Sequence, residues 1–196
     1  MVLDPKESRH AMRVLRLKNG EVVELFDPFG NSRRGVVAGA AGGLLSVALD
    51  KSAAQDPCSM ESAGVRITLA ACVIKPEPME LLIQKACELG VHSLLPVLSE
   101  RTVVRLSKER WESKIKRWRK IAVESCKQCG RSVIPGVDAV MPFGRLVSTF
   151  SGYDLVLIPT LAVRGESVYN TLRGKPDAAR LLILIGPEGD FSAKET

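Results

Sequence analysis

The chain has 196 residues, 45% of them hydrophobic and 26% charged, with a formal net charge of +6. That is long enough to bury a proper core and to hold one large domain or two small ones. No apolar run approaches the roughly 20 residues of a membrane span, and Met-Val-Leu-Asp-Pro-Lys-Glu at the N-terminus lacks a signal-peptide core, so a cytoplasmic protein with no membrane partner is expected.

In chain order, the segment Pro5 to Gly20 comes first, with Ser8 as N-cap and Gly20 as stop of a short helix between them. Arg9, Arg13 and Arg16 then share one face at i, i+4, i+7, while Ala11, Met12 and Leu15 lie elsewhere. Such a stripe is either a phosphate contact or a solubilising surface. Three short β-like runs follow, Val22–Phe26, Arg34–Val37 and Leu44–Leu49, separated by Asp27-Pro-Phe-Gly-Asn31 and by Gly42-Gly43. Tight spacing with turn residues predicts a small antiparallel barrel or meander. Lys51 to Gly64 is small and polar and reads as a linker, so the expected domains are 1–60 and 64–196.

After Gly64 the pattern changes. Val65–Ile74 is apolar enough for an interior strand, and Met79 to Gly90 carries apolar residues at 79, 82, 83, 86 and 89, a helical period. Val91–Leu98 is strand-like again. The unit is β-α-β, which calls for parallel strands, with Lys75-Pro-Glu-Pro78 in the loop on the ligand side of the sheet. Ser107 is the expected cap of a long helix reaching about Cys129. Its apolar stripe is Trp111, Ile115, Trp118, Ala122, Cys126 and Cys129. Lys116, Lys120 and Lys127 fall opposite, with Arg110 and Arg117 beside them. That arrangement assigns the tryptophans to the core rather than to base stacking.

The excess charge is local. Arg101 to Arg131 holds eleven Lys/Arg against three acids, a surplus of +8, and the rest of the chain is slightly acidic. Either a polyanion-binding surface or a solvated helix face has this composition. Five cysteines at irregular spacing make no disulfide framework. Cys126-x-x-Cys129 has no second pair, and only His10 and His92 complete the set of soft ligands, so no metal is expected.

Phe143 to Phe150 is a short helical candidate and Asp154–Ile158 a further buried strand, followed by the loop Pro159-Thr160-Leu161. Gly174-Lys-Pro-Asp177 marks a turn before Leu181-Leu-Ile-Leu-Ile185. Five consecutive aliphatic residues read as a parallel strand buried on both faces. Ile185-Gly186-Pro187-Glu188-Gly189 then forms a stiff loop at its carboxyl end, where open α/β sheets bind ligands. The two loops, Pro159–Leu161 and Ile185–Gly189, are expected to form two walls of one pocket; taken alone, Gly186–Gly189 is equally a plain turn. Glu188 either meets the ligand or caps the turn. G-x-x-x-x-G-K-[ST] is absent, which excludes a P-loop nucleotidase.

Several stretches in this order resemble one family. They are His10-Ala-Met-Arg-Val-Leu-Arg16, Glu80–Val91, Pro96–Arg105, Arg117-Trp-Arg-Lys-Ile121 with Glu124, Gln128-Cys-Gly-Arg131, and Ile185–Ser192 with Glu195. Together they are similar to the ribosomal RNA small subunit methyltransferase E family of the SPOUT superfamily, over nearly the whole chain. The resemblance implies an α/β protein: an N-terminal PUA-like β-barrel and a SPOUT domain with a mostly parallel sheet and a trefoil knot. It also implies a homodimer that methylates uridine N3 in 16S ribosomal RNA, free or in the small ribosomal subunit, with S-adenosylmethionine as donor. Pro159, Thr160, Leu161 and Ile185 to Gly189 would then hold the cofactor, and Arg9, Arg13, Arg16, Arg110, Arg117 and Arg131 the RNA.

Two departures stand out. The family has a Gly-acid-basic turn where this chain has Pro76-Glu77-Pro78, so a basic contact expected at 78 is absent. The family also continues past the position of Thr196 with a helix, a strand and an L-G-x-x-I-L-R-x-E-T-A-like segment. On that comparison, residues 1–196 leave the cofactor pocket and the knot incomplete, and a chain of this length is expected to be inactive. Uridine N3 is protonated at neutral pH, so some group must accept the proton or stabilise the anion. His10 sits in the N-terminal domain and His92 is expected on a strand facing the core, which leaves Arg101 and Lys75 as candidates for stabilising charge on the uracil oxygens. A non-catalytic RNA-binding protein and a SPOUT enzyme acting at another RNA position are the competing readings.

Overall fold

In a computed structural model the described residues are 1–26, 32–50, 64–104, 106–161 and 165–195. They divide into two units, Met1–Ser62 and Ala63–Thr196.

In the first unit, the short helix α1 (Pro5–Arg9) is capped by Asp4, whose carboxylate accepts from the amides of Lys6 and Glu7. Ser8 is therefore not the cap. It is buried one turn inside the helix, where its hydroxyl donates to the Leu3 carbonyl and accepts from the Leu45 amide. A π-helical turn, His10–Val14, follows, and Arg16 lies beyond it at φ 54°. The three arginines are exposed, but the run is too irregular to present them as one α-helical stripe. Strands β1 (Val22–Phe26), β2 (Ser32–Ala41) and β3 (Leu44–Leu49) form an antiparallel meander in sequence order. Gly35 makes the β2–β3 approach possible, because a Cβ there would lie 2.6 Å from Val47 Cγ1 and 2.8 Å from the Ala48 carbonyl oxygen. Ala11, Val37, Leu45 and Val47 are buried at the centre of this unit. The expected linker lies almost wholly outside the described residues, as do Asp27 to Asn31.

The second unit is built on a parallel sheet. Its strands are β4 (Arg66–Cys72), β5 (Ser93–Leu98), the two-residue β6 (Gly136–Val137) and β7 (Met141–Pro142), β8 (Leu155–Leu157) and β9 (Arg180–Ile185). The order is β6-β5-β4-β9-β8, with β7 also pairing β5. The last strand thus enters between two earlier ones, and every described pairing in this sheet is parallel. This central position is why β9 is nearly all aliphatic.

Helix α2 (Pro76–Glu88) begins three residues earlier than the apolar period indicates. Pro76-Glu77-Pro78 forms its first turn instead of a loop, since a proline in the first turn gives up an amide that would be unpaired anyway. Leu89 is 83% exposed and belongs to the stop, where Gly90 takes φ 87°. Helix α3 (Lys108–Cys129) ends on Gly130 at φ 76°. Between these two helices and one sheet face lie Met79, Ile83, Ala86, Ile115, Trp118, Ala122 and Cys126. Trp111 packs on Trp118 at 6.4 Å between ring centroids. Cys129, expected on the same stripe, is exposed instead.

The other sheet face is covered by the segment containing α4 (Phe143–Val147) and the 3-10 turn Phe150–Gly152, with Leu146, Leu182, Leu184 and Phe191 at the centre. The short helix α5 (Val168–Arg173) has no apolar period long enough to announce itself in sequence. Among the described residues no helix is long and apolar enough to cross a membrane.

Candidate functional site

Adjacent parallel strands deliver their following loops to one edge. Leu157 pairs with Ile183, so Pro159–Leu161 and Gly186–Asp190 both leave the carboxyl edge of the sheet. They are joined directly there. The Asp190 carboxylate accepts from the Thr160 hydroxyl at 2.8 Å and from the Leu161 amide at 2.9 Å through Oδ2, and from the Phe191 amide at 2.8 Å through Oδ1. The Leu161 amide, then the Phe191 amide and the Thr160 hydroxyl, hold the Asp190 carboxyl below the ordinary aspartate range.

The turn itself closes with the Asp190 amide donating to the Pro187 carbonyl. Sequence reasoning assigned the unusual backbone conformation to the glycines. The left-handed residue is Asp190 at φ 62°, and neither Gly186 nor Gly189 has a positive φ. Gly186 is needed for space: a Cβ there would sit 3.3 Å from Asp190 Oδ1 and from two ring carbons of Phe191. At Gly189 the nearest atom would be Arg101 Cδ at 3.8 Å, an ordinary contact. Pro187 is buried, Glu188 is exposed, and Ile185 is more than a third exposed although it ends a buried strand. Leu161 is almost fully exposed.

A third loop reaches the same edge from β5. Arg101 Nη1 donates to the Gly189 carbonyl. Glu195 accepts from the Glu100 amide at 2.9 Å and from the Ser192 amide at 3.0 Å. Lys75, at the head of α2 beyond β4, is exposed at this edge too. The two cationic candidates and both loops are therefore gathered on one side of the sheet. Glu195 and Asp190 were missed as organisers; the sequence shows only an acid directly after Gly189 and another three residues after Ser192.

Other groups are excluded by position or chemistry. His92 is exposed rather than facing the core, and it precedes β5, at the opposite edge. His10 belongs to the first unit. Cys72 lies at the carboxyl end of β4, but burial pushes its thiol up to about 11, so it offers no thiolate nucleophile at neutral pH. The thiols of the C-x-x-C diverge: Cys126 is buried beside Cys87, whereas Cys129 is at the surface. Among the described residues no cluster of three or more His, Cys, Asp and Glu could hold a metal.

The cationic side chains of α3 are elsewhere. Lys116, Arg117 and Lys120 line an open groove of about 750 Å³ with Gln84, Ile121 and Gln128. Arg117 is already bidentate with Glu80 on α2, at 2.6 and 2.8 Å. Arg110 is exposed. Arg131 turns inward: it is half-buried, and its Nη1 donates to the carbonyls of Cys87 and Val91, both at 3.0 Å. It fastens the end of α3 to the turn after α2.

A family model described as an RNA methyltransferase domain matches residues 61–196, well over half of the chain. The chain belongs to the RNA methyltransferase domain family. A second model, an RNA methyltransferase PUA domain, matches residues 3–49. Among curated relatives, the ribosomal RNA small subunit methyltransferase E of Bacillus subtilis is 32% identical over 135 residues, covering 67% of this chain and 53% of that protein. The enzyme of the same name from Synechocystis is 26% identical over 196 residues, covering 100% of this chain and 61% of that protein. The chain thus spans between 53% and 61% of the length of these two relatives. Among solved structures, a putative methyltransferase from Legionella pneumophila in complex with the bound cofactor SAM superposes with TM-score 0.80 at 28% identity, over 100% of this chain and 77% of that one. A probable rRNA-methyltransferase from Porphyromonas gingivalis gives 0.75 at 29% identity, over 99% and 78%.

Proposed function

We propose that the carboxyl edge of the parallel sheet binds S-adenosylmethionine between Pro159–Leu161 and Ile185–Gly189, and that the protein methylates uridine N3 of 16S ribosomal RNA. The observation that carries this reading is the joining of those two loops by Asp190 at the strand ends. Ligands of open α/β sheets bind at that edge. The residues present fit such a donor: main-chain groups of stiff loops suit the polar edges of adenine and ribose, and exposed Leu161 and Ile185 offer apolar surface to a flat ring. The similarity to small subunit methyltransferases E and to a SAM-bound methyltransferase supports the choice of cofactor and of RNA class.

The donor, when bound, supplies an electrophilic methyl group. The protein's part is to align the attacking nitrogen and to exclude water. Arg101 is tethered to the GPEG turn through one of its several N–H donors; in this reading its remaining donors stabilise the negative charge that a uracil oxygen gains. Lys75 at the same edge is the second such group. Arg9, Arg13 and Arg16 in a PUA-like barrel unit, with Arg110 and Arg117 on α3, hold the RNA in this reading, whereas Arg131 acts chiefly as an internal fastener. The assembly is a homodimer acting in the cytoplasm on ribosomal RNA or the small subunit.

Calorimetry with S-adenosylmethionine and nucleoside mass mapping of 16S RNA from a deletion strain test the proposal together. Binding heat and loss of 3-methyluridine are expected. Binding heat with 3-methyluridine unchanged and a different methylated nucleoside lost would move the target; no heat and no lost modification would leave an RNA-binding protein.

A further inference from the structure

We propose that Asp190 is a positioning residue that latches Pro159–Leu161 onto the Gly186–Asp190 turn and so pre-forms the methyl-donor site. The inference rests on the site reading above and gives a role to a residue that the expected cofactor loops, Pro159–Leu161 and Ile185–Gly189, leave out. Two features set Asp190 apart. Its backbone is left-handed at φ 62°, a conformation that favours glycine and that aspartate adopts at some cost. Local backbone chemistry therefore calls for glycine at this position. What glycine cannot supply is the carboxylate, and that carboxylate spans thirty residues of sequence to Thr160 and twenty-nine to Leu161.

The second feature is what the latch holds. Leu161 is 97% exposed, an apolar side chain standing in solvent. Its amide is fixed by Asp190 Oδ2, a bond made between two parts of the protein itself. A site ordered before the ligand arrives loses less on binding, because apparent affinity scales with the fraction of molecules already competent. The simpler role, capping the Phe191 amide within the turn, uses only Oδ1 and leaves the two Oδ2 bonds unexplained.

The test uses D190G, T160V and T160S in the protein, with three readouts: melting temperature, amide exchange at Leu161 without ligand, and calorimetric affinity for S-adenosylmethionine. D190G relieves the left-handed backbone but loses three hydrogen bonds and loosens the unfolded chain, so a small fall in melting temperature is expected, and exchange and affinity are compared where both proteins are fully folded. It should speed Leu161 exchange and weaken donor binding by about tenfold, a loss of competent population rather than of contacts. T160V should weaken binding by roughly threefold as one of the two bonds to Oδ2 goes, and T160S, which keeps the hydroxyl, should restore it. Unchanged Leu161 exchange in D190G would overturn the latch. Faster exchange with unchanged affinity would overturn its role in binding. If the unmodified protein gave no heat with S-adenosylmethionine, the site reading would fail, and exchange at Leu161 would still decide whether the latch exists.

Discussion

Two glycines three residues apart in one turn should respond oppositely to the same added methyl group. At Gly186 a Cβ meets Asp190 Oδ1 and Phe191 Cδ2 and Cε2, each at 3.3 Å. None of these is the loose end of a flexible chain. Phe191 is 3% exposed and packs on Phe143 at 5.5 Å between centroids, and the Asp190 carboxylate is held by three donors. At Gly189 the same Cβ makes only an ordinary contact, 3.8 Å to Arg101 Cδ. Neither residue has a positive φ, so glycine-to-alanine lowers the entropy of the unfolded chain equally in both variants, by about 0.4–1 kcal/mol. That term cancels in the comparison, leaving the overpacking cost of about 1–3 kcal/mol at Gly186 alone.

Gly186→Ala should therefore be less stable than Gly189→Ala by roughly 1–3 kcal/mol, read as a difference in urea midpoint at constant slope. Because Oδ1 shares its carboxylate with the Oδ2 that makes the latch, displacing it should also weaken S-adenosylmethionine binding. Equal midpoints for the two variants would refute the packing argument and with it the assignment of Gly186 as a residue fixed by space.

Trp118 is 2% exposed, and its indole nitrogen is buried without a partner among the described residues, so Trp118→Ala should cost about 3–5 kcal/mol, while Trp118→Phe should cost much less because it removes the unpaired N–H along with volume; denaturant titration separates the two. Arg117→Ala breaks a bidentate but largely exposed pair with Glu80, so the urea midpoint should barely move, and less still in high salt. Charge reversal at Arg9, Arg13 and Arg16 should weaken RNA binding and flatten its salt dependence by about 0.7–0.9 log units per lost phosphate contact; unchanged affinity and slope would assign these arginines to solubility. Asp190 has its folded-state pKa depressed, so the latch is at full strength above the ordinary aspartate value and is lost as pH falls through the lower folded value. Leu161 protection should accordingly be flat from pH 5 to 8, and carboxyl titration of Asp190 by NMR should show a midpoint below that of a free aspartate.

What the sequence could and could not disclose follows from the range of the interactions involved. Strands β1, β3 and β9 are legible because alternation, turn residues and an aliphatic run are local signals, and α3 because its apolar period persists for several turns. Placing Pro159–Leu161 beside Gly186–Asp190 needed only the rule that parallel strands present their following loops at one edge. The errors share a different character. Ser8 has the chemistry of a cap, but Asp4 holds that position and Ser8 serves β3 across thirty-seven residues. Arg131, expected at phosphate from its charge, also donates inside the fold to carbonyls 44 and 40 residues away, a role its charge does not disclose. Asp190 looked like the residue after a glycine signal, yet it carries the left-handed backbone and the inter-loop bonds itself. In each case a polar side chain's role is set by which distant backbone group lacks a partner, and no local pattern encodes that. The candidate site is thus readable from sequence as an edge of a sheet, while the residue that holds its two walls together becomes visible only once β8 and β9 are side by side.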